Sequence, residues 1–310
     1  MAETRRVALF LTREDEAQRM WAETVREESR RRGFALQQYW SDESVEQNRA
    51  ISDCIFHDTA DALLILPVST SGPAALLAQA AAKGKSVILL NRLTRDLDPA
   101  TSWSLPRLRK DCPGVLAVRV APDELGIGRV QGRQVLALLP KGGTVLYVQG
   151  NMMTSGAIDR TAGLEEVLAP HQGYKVGKID GGWTSPRAET GLHAWLSLML
   201  IDASYRPELV VSQSEVMVEG IRRALARLAR EFSRPELERL PITACDGMPA
   251  FKRAVDERRL AATIEIPSRA TAAMQVLVDF WTRGQTPAGL ELLLPPSSYP
   301  SLEDLARRAL

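Results

Sequence analysis

Residues 61–91 read DALLILPVSTSGPAALLAQAAAKGKSVILLN, in which two short apolar runs flank a helical pattern. The runs DALLILPV (61–68) and SVILLN (86–91) are apolar at successive positions, which is typical of parallel strands buried on both faces. The segment between them is rich in Ala and Leu, as helices are. This stretch therefore predicts a strand–helix–strand unit, the building block of a parallel α/β sheet.

The same alternation extends towards both ends of the chain. Strands at 7–12 and 34–40 flank a long helix. That helix ends at Arg32 with Gly33 at its C-terminal cap, and another helix begins near Ser44. Further strands are expected at 115–121, 144–150, 174–180, 208–213, 241–246 and 261–266, further helices at 124–138, 157–169, 185–200, 215–231, 248–257 and 269–283, and a final apolar run and helix at 290–295 and 302–309.

The alternation pauses between Arg92 and Val115. The length and the Pro, Asp and Arg content of this stretch favour an excursion or binding loop over a core element. The pause divides about ten predicted strands into two sets, and 310 residues exceed the usual size of a single core. The sequence therefore predicts an α/β protein with two doubly wound parallel-sheet domains.

Charge and cysteine content exclude several classes of function. Lys plus Arg (39) nearly balance Asp plus Glu (38), so nucleic acid is not expected as a partner. The cysteines Cys54, Cys112 and Cys245 lack the spacing of a metal or redox site, and no cofactor or metal is expected. No run approaches the ~20 apolar residues that insertion into a membrane requires.

The N-terminal sequence MAETRRVALFLTRED has a basic pair followed by about six apolar residues, which is too short for the apolar core of a secretory leader. Two localisations stay open at this point. The protein is periplasmic if a leader has been removed, and it is cytoplasmic if Met1 is the native start.

Polar side chains follow many of the predicted strands. In open parallel sheets, ligands bind beyond the carboxyl ends of the strands, where loops expose side chains and helix N-termini. The segment TACDGMP (243–249) is one example, since an apolar run ends there in Asp246 and Gly247 just before a helix. We therefore expect a site for a small ligand at these strand ends.

Six segments of the chain resemble, in order and in spacing, the type I periplasmic-binding-protein fold. They are DALLILPVST, SVILLNR, VQGNMMTSGAIDRTAGLEEVL, VVSQSEVMVEGIRRAL, TACDGMP and LAATIEIP. This is the family of ribose-binding proteins and of the sensor cores of lactose-repressor-type regulators. The resemblance implies two lobes that close on a ligand by a hinge motion, joined by a chain that crosses three times. It implies a first lobe of 1–120 plus 268–291 and a second lobe of 121–267 plus 292–310.

The resemblance also implies which residues contact the ligand. Arg92 and Arg160 match ligand-binding arginines of the family, and their planar guanidinium groups suit pairs of hydroxyls. Asp246 matches an aspartate that accepts hydrogens from sugar hydroxyls, and Trp183 matches an aromatic residue that packs on a sugar face. The full expected set is Asp15, Gln18, Asn91, Arg92, Arg160, Trp183, Ser214 and Asp246.

This sequence departs from the family pattern at several of these positions. Asp15 and Ser214 each stand where the family has asparagine, and Ala17 and Gln18 stand where it has two aromatic residues. Ile266 replaces a glutamine. These changes imply a ligand that is larger than a pentose, modified, or not a sugar.

Three residues of the expected set have structural alternatives. Capping of the helix that begins at Met248 is the alternative role for Asp246. Pairing with Glu165 or Asp159 on its own helix is the alternative for Arg160. Packing in the core or between the lobes is the alternative for Trp183.

Catalysis is not expected from the sequence. The three histidines, His57, His171 and His193, lie away from the strand ends, and GIGRVQG (126–132) lies within a helical pattern instead of a phosphate loop. The resemblance implies a monomeric, non-catalytic protein that binds a sugar or sugar derivative and delivers it to an ABC permease. The alternative is a cytoplasmic ligand sensor or regulatory module that acts through a partner protein.

Overall fold

The computed structural model of the protein describes residues 4–12, 16–68, 74–91 and 105–309. The chain divides into two compact units: unit 1 is Met1–Pro122 with Pro267–Leu294, and unit 2 is Asp123–Ile266 with Pro295–Leu310. The lobe limits implied by the resemblance differ from these by at most three residues. Each unit contains a parallel sheet and helices, which confirms the α/β class.

Unit 1 contains a six-stranded sheet with the order β11-β5-β4-β3-β1-β2, in which neighbouring strands are parallel. Its elements, numbered along the whole chain, are β1 (Arg6–Leu11), α1 (Glu16–Arg32), β2 (Ala35–Trp40), α2 (Ser44–Phe56), β3 (Ala62–Ile65), α3 (Ala74–Ala82), β4 (Ser86–Leu90), α4 (Leu105–Asp111), β5 (Ala117–Pro122), α10 (Arg269–Arg283) and β11 (Glu291–Leu294).

Apolar cores cover both faces of this sheet. Along β3, Leu64 belongs to the core that includes Met274 of α10, while Leu63 and Ile65 belong to the core that includes Leu77 of α3. Every residue of β3 and β4 is buried as a result. Burial on both faces explains why these strands are continuously apolar, and it confirms the strand–helix–strand unit predicted for residues 61–91.

The expectation for residues 92–115 is wrong in its C-terminal half. Residues 105–111 form the helix α4, and Leu105 and Leu108 are buried in the same core as α3. The two leucines lie three positions apart and so share one face of the helix. A helix of seven residues is too short for this apolar periodicity to be recognised in the sequence. Residues 92–104 lie outside the described residues.

Unit 2 contains a parallel four-stranded sheet of order β7-β6-β8-β9 and an antiparallel pair, β10-β12. Its elements are α5 (Glu124–Leu138), β6 (Gly143–Gln149), α6 (Ser155–Leu168), β7 (Tyr174–Asp180), α7 (Ser185–Met199), β8 (Leu209–Ser212), a 3₁₀ turn (Glu215–Met217), α8 (Val218–Glu231), a second 3₁₀ turn (Pro235–Arg239), β9 (Ile242–Thr243), α9 (Pro249–Asp256), β10 (Thr263–Glu265), β12 (Ser297–Tyr299) and α11 (Leu302–Ala309).

The strands at the β9 end of unit 2 differ from the prediction. The run expected at 241–246 forms only the short β9, and single parallel bridges, including Asp246 with Glu265, connect it to the β10 region. The antiparallel strand β12 was not expected from the alternation of strands and helices. Single bridges hold the chain next to Asp246, so that residue lies in a loop and not in a regular strand.

Glycines bring α5 and α6 into backbone contact. A Cβ added at Gly128 would lie 2.0 Å from the carbonyl oxygen of Arg160, and one added at Gly163 would lie 2.2 Å from that of Leu125. The segment GIGRVQG therefore lies in a helix, as predicted, and its glycines serve close packing. This contact fixes the position of Arg160 relative to α5.

Among the described residues, no helix combines the length and the apolar character needed to span a membrane.

Candidate functional site

Four residues of the expected ligand set lie at the carboxyl edge of the sheet in unit 2. Trp183 follows β7, Ser214 follows β8 and Asp246 follows β9, while Arg160 lies on α6, the helix after β6. Contacts connect these residues in two pairs, Arg160 with Trp183 and Ser214 with Asp246. We call this group, together with Glu215, the edge cluster.

Arg160 is buried, with 6% of its surface exposed, and its partners come from other elements. Its Nε donates to Glu124 Oε2 of α5 at 2.6 Å, and one terminal nitrogen donates to the carbonyl of Gln213. Burial opposes the charge, but the negative surroundings, including Glu124 and Asp246, raise the pKa of Arg160 above its usual value. The guanidinium is therefore a permanent cation at this edge.

The alternative partner Glu165 does not pair with Arg160. Glu165 pairs instead with Lys178 of β7. Residues five positions apart lie on different faces of a helix, so Arg160 points to the sheet edge while Glu165 lies towards β7. The ion pair with Glu124 joins α5 to α6 at the point where their glycines meet.

Trp183 combines a core position with a place at the edge. Its backbone adopts a φ of 64°, which is uncommon for a bulky residue. The indole lies against Gly150, where an added Cβ would be 2.0 Å from Cε2, and the ring nitrogen donates to Thr154 Oγ1 at 3.2 Å. The centre of the ring lies 5.3 Å from the Arg160 guanidinium carbon. The aromatic plane is thus held by packing on the core and by one hydrogen bond.

Asp246 accepts two hydrogen bonds from the segment after β8. Ser214 Oγ donates to Asp246 Oδ2 at 2.8 Å, and the backbone nitrogen of Glu215 donates to the same oxygen at 3.1 Å. These two bonds bring Asp246 to the start of the 3₁₀ turn Glu215–Met217, whose N-cap is Ser214. Asp246 has a φ of 148°, a region that favours glycine, so surrounding contacts hold it in this conformation.

Glu215 binds the backbone just ahead of α9. Its carboxylate accepts from the backbone nitrogens of Gly247 and Met248, each at 3.0 Å, and from the hydroxyl of Thr263. Burial and the charge of Asp246 raise the pKa of Glu215 to about 7. The expected ligand set did not include Glu215, although it lies three residues beyond β8, next to Ser214 of that set.

A buried polar network supports the edge cluster from below. Gln213 donates to Tyr147 Oη at 2.8 Å and accepts from the backbone nitrogen of Gly150 at 2.8 Å. Tyr147 in turn donates to Gln131 Oε1 at 2.9 Å. These bonds satisfy groups that are fully buried, and they fix the ends of β6 and β8 relative to each other.

In unit 1, the structure describes two of the four expected residues. Gln18 is bound to Thr12, whose backbone nitrogen donates to Gln18 Oε1 at 2.9 Å. Asn91 follows β4 with a φ of 67°, and its Oδ1 accepts from Arg269 at 3.2 Å. Asp15 and Arg92 lie outside the described residues. For unit 1 the ligand set stays a prediction.

A second polar cluster in unit 1 was not foreseen. It lies at the amino edge of the six-stranded sheet and consists of Arg6, Asp58, Asp61 and Lys85, beside a cavity of about 440 Å³. Arg6 binds Asp61 through its backbone nitrogen and its guanidinium, both at 2.8 Å. The buried ammonium of Lys85 binds Asp58 and the carbonyl of Ala60. We call this group the amino-edge cluster.

No group of three or more potential metal ligands occurs among the described residues, and the three cysteines are unpaired. Ile266, at the position of a family glutamine, packs against the small apolar core formed by Ile127, Val130, Cys245 and Ile264. Both the side chain of Ile266 and its surroundings are therefore apolar.

Comparisons with known proteins agree with this architecture. Curated relatives include the xylitol-binding protein of Mycolicibacterium smegmatis, 25% identical over 63% of this chain and 48% of that protein, so the match spans about half of the relative's length. They also include the ribose import binding protein RbsB of Escherichia coli, 24% identical over 74% of this chain and 80% of that protein. Both relatives are named for the small molecules they bind.

Solved structures share the fold over nearly the whole chain. An ABC transporter periplasmic solute binding protein from Actinobacillus succinogenes with bound D-allose superposes with a TM-score of 0.76 at 16% identity, covering 98% of this chain and 100% of that one. A Caulobacter myo-inositol binding protein superposes with a TM-score of 0.74 at 16% identity, covering 99% and 96%. The family model described as periplasmic binding protein domain matches residues 7–285. The chain therefore belongs to the periplasmic binding protein domain family.

Proposed function

We propose that this protein binds a small polyhydroxylated molecule, a sugar, sugar alcohol or close derivative, without transforming it. We further propose that it is the exported, monomeric solute-binding component of an ABC transporter. The observation that carries the proposal is the edge cluster, in which a carboxylate, a guanidinium and an indole are positioned together by other protein groups.

The chemistry of the edge cluster suits a polyol. Each hydroxyl of a polyol donates one hydrogen bond and accepts others, so it is served by a carboxylate acceptor and a guanidinium donor. Asp246 supplies the acceptor, Arg160 the donor, and the ring of Trp183 an apolar surface for carbon-bound hydrogens. Hydrogen bonds to charged groups contribute about 1.5–3 kcal/mol each, and an unmatched buried group costs a similar amount, which gives selectivity.

The relatives support the same class of ligand. The ligands in their names are xylitol, ribose, D-allose and myo-inositol, which share several adjacent hydroxyls and carry no charge. We also propose that the ligand contacts four residues of unit 1 that the sequence predicts, namely Asp15, Gln18, Asn91 and Arg92. The absence of aromatic residues at positions 17 and 18 favours a ligand that is more polar or bulkier than a pentose.

Isothermal titration calorimetry with xylitol, D-ribose, D-allose and myo-inositol tests the binding proposal. We expect at least one of them to bind, and Arg160→Met to weaken its binding by about 100-fold or more because the edge loses its cation. Arg227→Met, which removes an exposed arginine of α8, is the matched control and should bind normally. Normal binding by Arg160→Met, or no binding of any polyol or monosaccharide, would contradict the proposal.

The transport role is tested separately in the native host. Cell fractionation should recover the protein with the periplasmic contents, and disruption of the gene that encodes this protein should abolish uptake of the ligand. Recovery in the cytoplasm with unchanged uptake would contradict transport and favour the sensor alternative.

A further inference from the structure

We propose that Glu215 is a pH-responsive positioning residue: its carboxylate holds the Asp246 loop in the ligand-binding conformation, and loss of its charge weakens ligand binding. The inference rests on the proposed function for its affinity effect, and on the geometry of unit 2 for its effect on the loop.

Glu215 and Asp246 are joined in a closed ring of hydrogen bonds. The backbone nitrogen of Glu215 donates to Asp246 Oδ2 at 3.1 Å. The side chain of Glu215 accepts from the two backbone nitrogens that follow Asp246, those of Gly247 and Met248, at 3.0 Å each. Glu215 therefore holds the loop on both sides of the proposed ligand residue, through its own backbone and through its carboxylate.

The loop depends on these acceptors because the backbone of Asp246 is in an unfavourable conformation. Asp246 has a φ of 148°, a region that favours glycine, and Gly247 follows with a φ of 73°. The loop also lies close to β10, since a Cβ added at Gly247 would be 2.8 Å from Glu265 Cα. Such conformations persist only where surrounding contacts fix them. Because Glu215 Oε1 also accepts from Thr263 of β10, one carboxylate binds donors from both segments.

Protonation of Glu215 disturbs this arrangement directly. Three donors point at its carboxylate, and 1% of the residue's surface is exposed, so water is not at hand to accept an added proton. A protonated carboxyl group adds a hydrogen that needs an acceptor, whereas the three partners that face Glu215 are donors to the ionised form. Loss of the charge also weakens the hydrogen bonds from Gly247 and Met248, which hold the residues next to Asp246.

The ionisation of Glu215 changes in the neutral pH range. Burial, followed in size by the charge of Asp246, raises its pKa to about 7, although Thr263, Gly247 and Met248 oppose the rise. Cys245 is also near, but burial raises the pKa of its thiol well above the usual value, so it is neutral there.

Other charged groups of this region form ion pairs: Arg160 with Glu124, and Lys252 of α9 with Glu265 of β10. Glu219, in α8 just after the 3₁₀ turn, pairs with Arg223. Among these groups, Asp246 is the one whose charge raises the pKa of Glu215. Any group that binds and neutralises Asp246 will also favour the ionised form of Glu215.

Stability and affinity should move in opposite directions with pH. The pKa of Glu215 is higher in the folded protein than its ordinary value of 4.5, so its contribution to stability is complete below that value and is lost as pH rises through about 7. Affinity follows the ionised form and rises over the same range. At pH 5.5, a group of pKa about 7 is ionised in roughly 3% of molecules, so the affinity falls up to about 30-fold from its value at pH 8.5.

The loop effect is tested in the ligand-free protein by ¹H–¹⁵N NMR from pH 5.5 to 8.5. The amide signals of Gly247 and Met248 should titrate with a midpoint near 7 in the wild type and should not titrate in Glu215→Gln. Glu219→Gln, which removes an exposed acid of α8 four residues further along the chain, should leave the titration unchanged. Signals of Gly247 and Met248 that stay constant in the wild type would overturn the inference, whether or not a ligand is known.

The affinity effect is tested by calorimetry over the same pH range with whichever of xylitol, D-ribose, D-allose or myo-inositol binds most tightly. We expect the wild type to lose about tenfold or more between pH 8.5 and 5.5, and Glu215→Gln to bind weakly with a flat profile. Glu215→Asp, which restores the charge, should regain a pH dependence. An unchanged slope in Glu215→Gln would overturn the inference while leaving the proposed function intact.

Discussion

The amino-edge cluster of unit 1 and the edge cluster of unit 2 both place charged side chains beside a parallel sheet, but their carboxylates bind different partners. In unit 1, Asp61 binds Arg6 and Asp58 binds Lys85, so each carboxylate is neutralised by a cation. In unit 2, Asp246 and Glu215 accept hydrogen bonds from backbone N–H groups and hydroxyls.

The pKa values follow this difference. Lys85 lowers the pKa of Asp58. Burial alone would raise the pKa of Asp61, but hydrogen bonds and charge from Arg6 lower it. In unit 2, burial and Asp246 raise the pKa of Glu215. A carboxylate held by neutral donors keeps its capacity to bind a ligand, whereas a carboxylate held by a cation contributes to the fold. The partner of a carboxylate therefore says more about its role, in ligand binding or in the fold, than the presence of the carboxylate does.

Substitution of one aspartate in each cluster gives the largest contrast. Asp246→Asn keeps the shape of the side chain but removes the charge, and we expect it to weaken polyol binding by about 100-fold, equivalent to about 2.7 kcal/mol. Asp61→Asn should bind normally and lower the free energy of unfolding. Calorimetry and urea denaturation measure the two effects. Equal affinities of the two variants would remove the functional distinction between the clusters.

Glycine substitutions test whether backbone packing positions the edge cluster of unit 2. Gly128→Ala places a methyl group against the backbone of Arg160, and we expect it to destabilise unit 2 by about 1–3 kcal/mol and to weaken ligand binding by moving the guanidinium. Gly114→Ala, in unit 1 beside the amino-edge cluster, meets no atom within 4 Å and is the matched control. Thermal unfolding with and without ligand distinguishes the variants. A Gly128→Ala protein with normal stability and affinity would show that the α5–α6 contact does not position the site.

The smallest effect is expected at Lys85. Lys85→Met removes the buried ammonium and leaves the carbonyl of Ala60 without its donor, which should cost about 1–2 kcal/mol of the free energy of unfolding. The cost is limited because Asp58, the other partner, is exposed and regains water. Ligand affinity should stay unchanged. A loss of affinity in this variant would mean that the amino-edge cluster also serves the ligand.

The sequence predicted the fold where elements are long or fully buried. The runs at 61–68 and 86–91 are apolar because helices cover both faces, and the helices 124–138 and 269–283 end where their patterns end. The sequence was least informative where an element is short. β9 has two residues and β12 has three, too few for a period of two to show.

The candidate site could be predicted as a set of positions but not as a set of contacts. The strand-end rule and the resemblance bring Arg160, Trp183, Ser214 and Asp246 to one edge. The pairing of Arg160 with Glu124, 36 residues away, and the hydrogen bonds between Glu215 and the Asp246 loop depend on tertiary packing. Only the fold shows that Glu215 is buried and binds that loop.

The glycine contact between α5 and α6 has a consequence for the energetics of recognition. Arg160 lies on α6 and is bound to Glu124 of α5, and the backbones of these helices touch, so its guanidinium would lose little conformational freedom on contact with the proposed ligand. Ordering a long side chain normally costs about 0.5–1.5 kcal/mol on association. Here folding has already met that cost, and a correspondingly larger share of the interaction energy remains for affinity.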